Sequence, residues 1–260
     1  MIDLFNNFPI DAQQLAKMQA LPAIKQHYVV AITPRSGSSY LCDVMTKTRC
    51  FGQPDEFINP DIIAQIMAKI PGRTPEEYLT NILKFRRARN GVSGLKASWF
   101  HWQRFNQVMN DEQRHYLTQF KYIYLTRRNL IAQAISLYRA TASSVFHTNI
   151  QHSPDALNKF QAQQYDYEAI KFWYEHIAQQ EQGWQQYFYQ QRIYPLCLTY
   201  EDIETDILMT LKRIANYLGI DVNTVVLPKE VSSIFEKVGD QRNIEWTHHF
   251  AFDYAKKTTY

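Results

Sequence analysis

The sequence predicts an α/β fold, a P-loop-like parallel β-sheet with helices on both faces. Short apolar segments alternate with longer helical patterns along the 260 residues. The segment YVVAI at 28–32 is apolar at every position, which is typical of a strand buried on both faces of a sheet. We see no repeat, low-complexity tract or interdomain linker, so we expect a single domain over 1–260.

The strands and helices follow from local composition. The candidate strands are 28–32, 91–97, 121–126 and 193–203, with 50–54 as a short additional one. The candidate helices are 10–26, 39–48, 60–70, 75–89, 99–109, 129–140, 165–191 and 206–220. Thr74 and Pro75 are typical of a helix start, and Gly219 of a helix end. The polar stretch 141–163 is predicted to be irregular.

Composition excludes several classes of protein. Apolar residues make up 45% and charged residues 20%, as in globular proteins with a core. A net charge of +3 argues against a nucleic-acid partner but permits a basic pocket for a small anion. Aromatic residues, at 14%, build the core and can line a pocket for a sugar-like ligand.

Cysteine usage and hydropathy bear on location. The 3 cysteines form no CxxC pair and no zinc spacing, which favours reduced thiols in a cytoplasmic protein. We find no signal peptide and no run approaching the roughly 18 apolar residues of a transmembrane segment. We therefore expect a cytoplasmic protein, with peripheral membrane association left open.

Polar side chains follow each predicted strand. In parallel sheets, ligands bind at the carboxyl ends of the strands, which meet at one edge. That edge is predicted to carry Arg35–Ser39, Lys96, Arg127 with Arg128, and Tyr200 with Glu201.

The turn at 33–39, TPRSGSS, has the chemistry of a phosphate site. A helix N-terminus offers free N–H groups, Gly37 allows close approach, and Arg35 adds charge. Hydroxyl donors come from Ser36, Ser38 and Ser39. The alternative is an ordinary turn with serine caps. The turn lacks the second glycine and the lysine of GxxxxGK followed by Ser or Thr, which disfavours magnesium-ATP hydrolysis.

The turn TPRSGSSYL resembles the 5′-phosphosulfate loop of sulfotransferases. The closer likeness is to the bacterial carbohydrate sulfotransferases typified by trehalose 2-sulfotransferase, a family that includes lipopolysaccharide-modifying members. The matching segments are TPRSGSSYL, FGQPDEF, GLKASW, RRNLIAQAISLYRA, EQGW, YEDI and DQRNIEW. The resemblance implies a 3′-phosphoadenosine 5′-phosphosulfate donor, a carbohydrate or glycolipid acceptor, no metal and a homodimer.

The resemblance also implies roles for residues on the donor side. Pro34–Ser39 would bind the phosphosulfate, and Arg35 and Lys96 would stabilise charge during transfer. Ser136 together with Arg127 or Arg128 would read the 3′-phosphate, and both arginines stay open. Arg242 and Trp246, near the C-terminus, would contact the nucleotide.

On the acceptor side, Glu56 matches the catalytic glutamate of the family and would act as general base. Asp55 is the competing carboxylate. Gln53 stands where relatives often carry another glutamate and lies near the acceptor. Trp99 and His101 would wall a sugar pocket, although His101 can also be structural.

Two other functions stay open at this point. The first is a nucleotide-dependent P-loop kinase that uses the same turn for ATP. The second is a noncatalytic nucleotide-binding module that holds adenosine 3′,5′-bisphosphate, the product of the donor, without transferring any group.

Overall fold

A computed structural model describes residues 2–145, 153–229 and 241–258. Within these ranges, the strands form one sheet with the order β2-β1-β3-β4, and every neighbouring pair is parallel. The strands are β1 (Gln26–Ile32), β2 (Val92–Ser98), β3 (Lys121–Thr126) and β4 (Leu196–Thr199).

Helices connect the strands and continue beyond them. They are α1 (Ile2–Asn7), α2 (Ala12–Gln19), α3 (Ser38–Thr48), α4 (Ile63–Met67), α5 (Pro75–Phe85), α6 (Trp99–Gln107), α7 (Asp111–Thr118), α8 (Leu130–Ser143), α9 (Pro154–Ala162), α10 (Tyr167–Gln190), α11 (Tyr200–Thr205), α12 (Ile207–Leu218) and α13 (Gln241–Thr258). A 3-10 turn, Val222–Thr224, follows α12.

Alternate residues of β1 face opposite cores, as the period of a strand requires. Val29 and Ala31 pack in a core with side chains of α5, α6, α7 and α10. Tyr28, Val30 and Ile32 pack in a second core with side chains of α3 and α12. The parallel sheet flanked by helices confirms the predicted fold class.

A third apolar cluster lies among the helices. Ile135 of α8, Ile177 of α10 and Phe250 of α13 belong to it and are fully buried. This cluster joins the helix that follows β3 to the C-terminal helix. It therefore fixes the position of α8, which carries Ser136.

The predicted strand at 50–54 is wrong. Gly52 has φ of +79°, and a Cβ there would lie 2.8 Å from the carbonyl oxygen of Arg86, so this backbone is not extended. The tyrosine hydroxyl of Tyr28 donates to the Phe51 carbonyl at 2.8 Å, which fixes the segment beneath the sheet edge.

The stretch 141–163 is more regular than predicted. Helix α8 continues to Ser143, and α9 begins at Pro154, where the Ser153 hydroxyl accepts a hydrogen bond from the Ala156 N–H. A serine followed by proline is a helix-start signal that the polar composition concealed. Residues 146–152 of this stretch lie outside the described residues.

Two further boundaries differ from the prediction. The helix expected over 10–26 ends at Gln19, and β1 begins at Gln26. The polar turn expected after the last strand is helix α11, which begins with a capping box between Thr199 and Asp202. The predicted end of α12 at Gly219 is confirmed, with φ of +75°.

Candidate active site

The carboxyl ends of the strands are level, which gathers the site residues at one edge. Ile32, the last residue of β1, pairs with Ser98 at the end of β2 and with Leu125 near the end of β3. Thr126 pairs with Thr199 at the ends of β3 and β4. The segments that follow these strands therefore emerge side by side.

The 33–39 turn has an unusual backbone. Arg35 has φ of 65° and Gly37 has φ of 81°, both in the left-handed region. A Cβ at Gly37 would lie 2.9 Å from the ring of Tyr200, so this position needs glycine for space as well as for conformation. A non-glycine residue held at positive φ is a form of strain that concentrates at functional sites.

Side chains of α8 and α10 hold the turn in place. The Gln133 side-chain amide donates to the Thr33 hydroxyl at 2.8 Å and to the Pro34 carbonyl at 2.6 Å. The Trp184 indole N–H donates to the Ile32 carbonyl at 3.0 Å. Sequence reasoning missed both residues, although a glutamine inside an apolar helix is a signal of a buried polar contact.

The Ser36 hydroxyl is an orphaned polar group. Ser36 is fully buried, and its oxygen has no hydrogen-bond partner within the described residues. Buried hydroxyls normally have a partner, so this one suits a ligand oxygen. Ser38 is also buried, whereas Ser39 is exposed at the first turn of α3.

Arg35 reaches across the sheet edge to α8. Its Nε donates to the Ser136 hydroxyl at 3.1 Å, which brings the 33–39 turn together with the residue predicted to read a second phosphate. Burial lowers the pKa of the Arg35 guanidinium, and the nearby charge of Arg127 lowers it further. Arg35 and Arg127 therefore form a region of concentrated positive charge.

Arg127 and Arg128 point to different surroundings. The Arg127 guanidinium lies 4.5 Å from the Tyr200 ring centroid, and its buried Nε has no hydrogen-bond partner within the described residues. The Arg128 side chain is exposed and approaches the Asp202 carboxylate at 3.7 Å, while its backbone N–H donates to Glu201. The structure brings Arg127 beside Arg35, and it directs Arg128 toward α11.

Lys96 joins the predicted acid to the turn. Its ammonium lies 3.1 Å from Oε1 of Glu56 and donates to the Ser39 hydroxyl at 3.3 Å. The Lys96 side chain is only 6% exposed, whereas that of Glu56 is 30% exposed. Lys96 is thus a buried cation between a reachable carboxylate and the start of α3.

Lys96 keeps its proton at neutral pH. Burial favours the neutral amine, but the nearby Cys42, Glu56 and Asp55 outweigh it, and the net result is a raised pKa of Lys96. Cys42 is itself buried, and burial raises the pKa of its thiol to about 12. The charge that pairs with Lys96 near pH 7 is therefore that of Glu56.

The loop that carries Glu56 is held by its own backbone and side chains. The Lys96 backbone N–H donates to the Asp55 carbonyl at 3.0 Å, and the Asp55 carboxylate accepts from the Glu56 N–H at 2.8 Å. Asn59 donates to Oε2 of Glu56 at 3.4 Å. Arg86 donates to the Gln53 side chain at 2.7 Å, which gives Gln53 a structural partner.

A cavity of about 790 Å³ lies over this edge. Its lining includes eight of the predicted site residues and several that the sequence did not single out. The predicted ones are Pro34, Arg35, Ser38, Ser39, Asp55, Glu56, Lys96 and His101, and the others include Ile62, Phe100, His176 and Gln180.

Trp99 and His101 have different surroundings. The Trp99 indole packs at the position of a Cβ on Gly183 and against the Trp184 ring, with centroids 5.4 Å apart. It is partly buried against the core and is absent from the cavity lining, where its neighbour Phe100 lies instead. His101 lines the cavity, and its buried Nδ1 has no hydrogen-bond partner within the described ranges.

Arg242 and Trp246 lie on α13. Arg242 is exposed and donates to the Gln161 carbonyl. Trp246 is buried, with the Arg139 guanidinium 5.5 Å from its ring centroid and the ring of Tyr165 at its edge. In the structure, Arg242 therefore contacts α9, and Trp246 belongs to the third apolar cluster.

In the part of the chain that the structure describes, no group of three or more His, Cys, Asp or Glu side chains is placed to share a metal ion. Of the described helices, none has the length and apolarity needed to cross a bilayer.

Comparison with known proteins agrees with the sequence resemblance. The chain is 24% identical to trehalose 2-sulfotransferase of Mycobacterium tuberculosis, over 86% of this chain and 93% of that enzyme. It is 22% identical to trehalose 2-sulfotransferase of Mycolicibacterium smegmatis, over 87% and 94%. A crystal structure of a sulfotransferase from Alicyclobacillus acidocaldarius matches 90% of this chain and 94% of its own, with 16% identity and a TM-score of 0.46.

A family model decides the assignment. The model of the Stf0 sulphotransferases matches residues 27–253, which contain β2, β3, β4, all of β1 except Gln26, and the whole candidate site. The chain therefore belongs to the Stf0 sulphotransferase family.

Proposed function

We propose that this protein transfers a sulfuryl group from 3′-phosphoadenosine 5′-phosphosulfate to a hydroxyl of a carbohydrate or glycolipid. The observation that carries the proposal is the contact of Lys96 with both Glu56 and Ser39. It places a carboxylate and a buried cation at the N-terminus of α3 in one cavity. Membership in the family supports the transfer of sulfuryl, and the two trehalose-modifying relatives support a sugar acceptor.

The residues of the turn fit the phosphosulfate of the donor. The orphaned Ser36 hydroxyl, the Ser38 and Ser39 hydroxyls and the free N–H groups of α3 offer donors to anionic oxygens. Pro34 lines the cavity beside them but has no N–H to donate. Gly37 leaves the approach to the backbone open. When bound, the donor supplies the sulfuryl group, and adenosine 3′,5′-bisphosphate is the product that leaves.

The second phosphate of the donor fits the Arg35 and Arg127 pair. The Arg127 Nε is buried without a hydrogen-bond partner in the described ranges, and Arg35 already contacts Ser136. Two neighbouring guanidinium groups repel each other until an anion lies between them. We therefore choose Arg127 over Arg128, whose side chain approaches Asp202.

Glu56 would take the proton of the acceptor hydroxyl. The acceptor oxygen forms a bond to sulfur while the bond from sulfur to the phosphate oxygen breaks. The released proton goes to the Glu56 carboxylate, which is partly exposed to the cavity. Asn59 contacts Oε2 and limits rotation of the carboxylate.

Lys96 would change partners during this step. In the resting site its charge is balanced by Glu56, 3.1 Å away. Once Glu56 is protonated, the positive charge of Lys96 is no longer balanced, and it acts on the negative charge that develops near Ser39 on the leaving phosphate. Arg35 acts on the same charge from the opposite side of the turn.

Other assignments stay predictions. Asp55 and Gln53 remain candidates for acceptor contacts, and Arg242 and Trp246 for nucleotide contacts through movement of α13. A homodimer and a cytoplasmic location rest on the family resemblance and on cysteine usage. The kinase and the noncatalytic module are the competing functions, and nothing in the site favours either of them over transfer of sulfuryl.

One assay tests the proposal. The purified protein is incubated with radiolabelled 3′-phosphoadenosine 5′-phosphosulfate and a cellular glycolipid extract, and the products are identified by mass spectrometry. We expect a labelled sulfated glycan. Transfer of phosphate from magnesium-ATP, without sulfated product, would show a kinase, and donor binding without any product would show a noncatalytic module.

A further inference from the structure

We infer that helices α6 and α10 form an acceptor subsite, in which the Gln180 amide binds a sugar hydroxyl and the Phe100 and His176 rings contact the face of the sugar. The inference rests on the proposed function and deepens it. It adds Gln180, His176 and Phe100 to the site. Phe100 and His176, in place of Trp99, then form the aromatic wall of the sugar pocket.

The buried side chain of Gln180 is the main evidence for this subsite. Its side chain is 1% exposed, its Oε1 has no hydrogen-bond partner within the described residues, and it lines the cavity. A buried amide without a partner is uncommon in folded proteins and indicates that a ligand completes it. A sugar hydroxyl both donates and accepts, so it satisfies this amide in either of its two orientations.

Gln180 is held rigidly next to the 33–39 turn. It lies one helical turn before Trp184, whose indole donates to the carbonyl of Ile32 at the end of β1. Gly183, between them, packs directly on Trp99. The α10 backbone is therefore fixed against both β1 and α6, which holds the Gln180 position at the cavity.

Aromatic rings continue the subsite toward the surface. The centroids of Phe100 and His176 are 5.0 Å apart, and Phe172 stacks on the other side of His176 at 6.1 Å and 27°. Phe100 and His176 line the cavity, and Phe172 is 58% exposed. The C–H groups on one face of a sugar ring pack on aromatic surfaces, while its hydroxyls point sideways to polar groups.

The charge of this wall favours a neutral ligand. Burial lowers the pKa of His176, and burial also lowers that of His101 despite the opposing charge of Glu56. Both rings are therefore neutral at pH 7. The phosphates of the donor need cations, which Arg35 and Arg127 supply, so the α6 and α10 wall suits the hydroxyl-bearing acceptor.

The subsite also reaches the proposed base. His101 is close enough to Glu56 for the carboxylate to influence its pKa, and its Nδ1 is buried without a hydrogen-bond partner among the described residues. A ring bound between Gln180 and His101 therefore has hydroxyls on the side of Glu56. This arrangement would select which hydroxyl receives the sulfuryl group.

The test compares Gln180→Met, which keeps the volume and removes the amide, with Gln179→Met at an exposed position on the same helix. Initial rates are measured with radiolabelled donor, using trehalose and a cellular glycolipid extract as acceptor probes. We expect Gln180→Met to raise the acceptor KM roughly three- to tenfold, because one hydrogen bond is lost, with the donor KM unchanged. Gln179→Met should match wild type.

A second variant guards against misfolding. Phe172→Ala changes an exposed ring, so it should keep the wild-type melting temperature and raise the acceptor KM by a smaller factor. Unchanged acceptor KM in both variants, or a higher donor KM with the same acceptor KM, overturns the subsite. Absence of sulfated product and of donor binding in wild type is a different result, because it overturns the proposed function itself.

Discussion

Two cationic regions at the carboxyl edge of the sheet differ in how their charge is balanced. At the end of β2, Lys96 is buried and ion-paired with Glu56 at 3.1 Å. After β3, Arg127 stacks on Tyr200, makes no ion pair with any described residue and lies close enough to Arg35 to lower its pKa. The first region is a close ion pair, whereas the second holds two neighbouring guanidinium groups, with the charges of Glu201 and Glu204 acting on Arg127.

This difference separates chemistry from binding. In the first region, the Glu56 carboxylate can take a proton from the acceptor while the ammonium of Lys96 stays charged, which suits the transfer step. Two neighbouring arginines attract a fixed anion and do not exchange protons. We therefore expect substitutions in the first region to lower the rate, and those in the second to lower the affinity for the nucleotide.

The largest expected effect is that of Glu56→Gln. Loss of the base should lower single-turnover sulfuryl transfer roughly 10²–10⁴-fold, while affinity for the donor stays near wild type. Rapid-quench kinetics and calorimetry measure the two quantities. Asp55→Asn, on the adjacent carboxylate, should leave the rate within a small factor. A normal single-turnover rate in Glu56→Gln would remove the separation of the two regions.

Arg127→Met should have the next largest effect. Affinity for adenosine 3′,5′-bisphosphate should fall roughly 10- to 100-fold, as for loss of a charged hydrogen bond, while affinity for AMP stays unchanged. Arg128→Met is the matched control, since its side chain approaches Asp202 at the α11 junction, and we expect wild-type affinity for both nucleotides. A larger loss in Arg128→Met would reverse the assignment.

Ser36→Ala should have the smallest effect. Affinity for both nucleotides should fall roughly three- to tenfold, because each carries a 5′-phosphate at the 33–39 turn. The ligand-free protein should keep its melting temperature, since the hydroxyl that is removed has no hydrogen-bond partner in the described structure. A lower melting temperature without ligand would mean that Ser36 has a structural role instead.

The sequence predicted the sheet and its edge well. β1 and β3 carry dense β-branched or aromatic residues, and the strand–turn–helix pattern at TPRSGSS specifies where α3 begins. The strand expected at 50–54 does not form because the chain turns at Gly52, where the backbone packs against the carbonyl oxygen of Arg86. Arg86 is distant from Gly52 in sequence. Local composition carries no information about such a contact.

The site shows the same division. The turn, Glu56 and Lys96 follow from motifs, and the structure brings them together. The choice between Arg127 and Arg128 required their surroundings, since adjacent arginines look alike in sequence. Trp99 and Phe100 differ only in the direction of their side chains at the start of α6, and Gln180 is distinguished only by burial without a partner.

One measurement tests the central claim, that the neighbouring guanidinium groups of Arg35 and Arg127 read a second phosphate. The melting temperature of the wild-type protein is recorded with adenosine 3′,5′-bisphosphate and with AMP at equal, saturating concentrations. We expect the bisphosphate to raise it by roughly 3–6 °C more than AMP, as a tenfold or greater difference in affinity implies. Equal shifts would contradict the account, because the region around Arg35, Arg127 and Ser136 would then have no phosphate to bind.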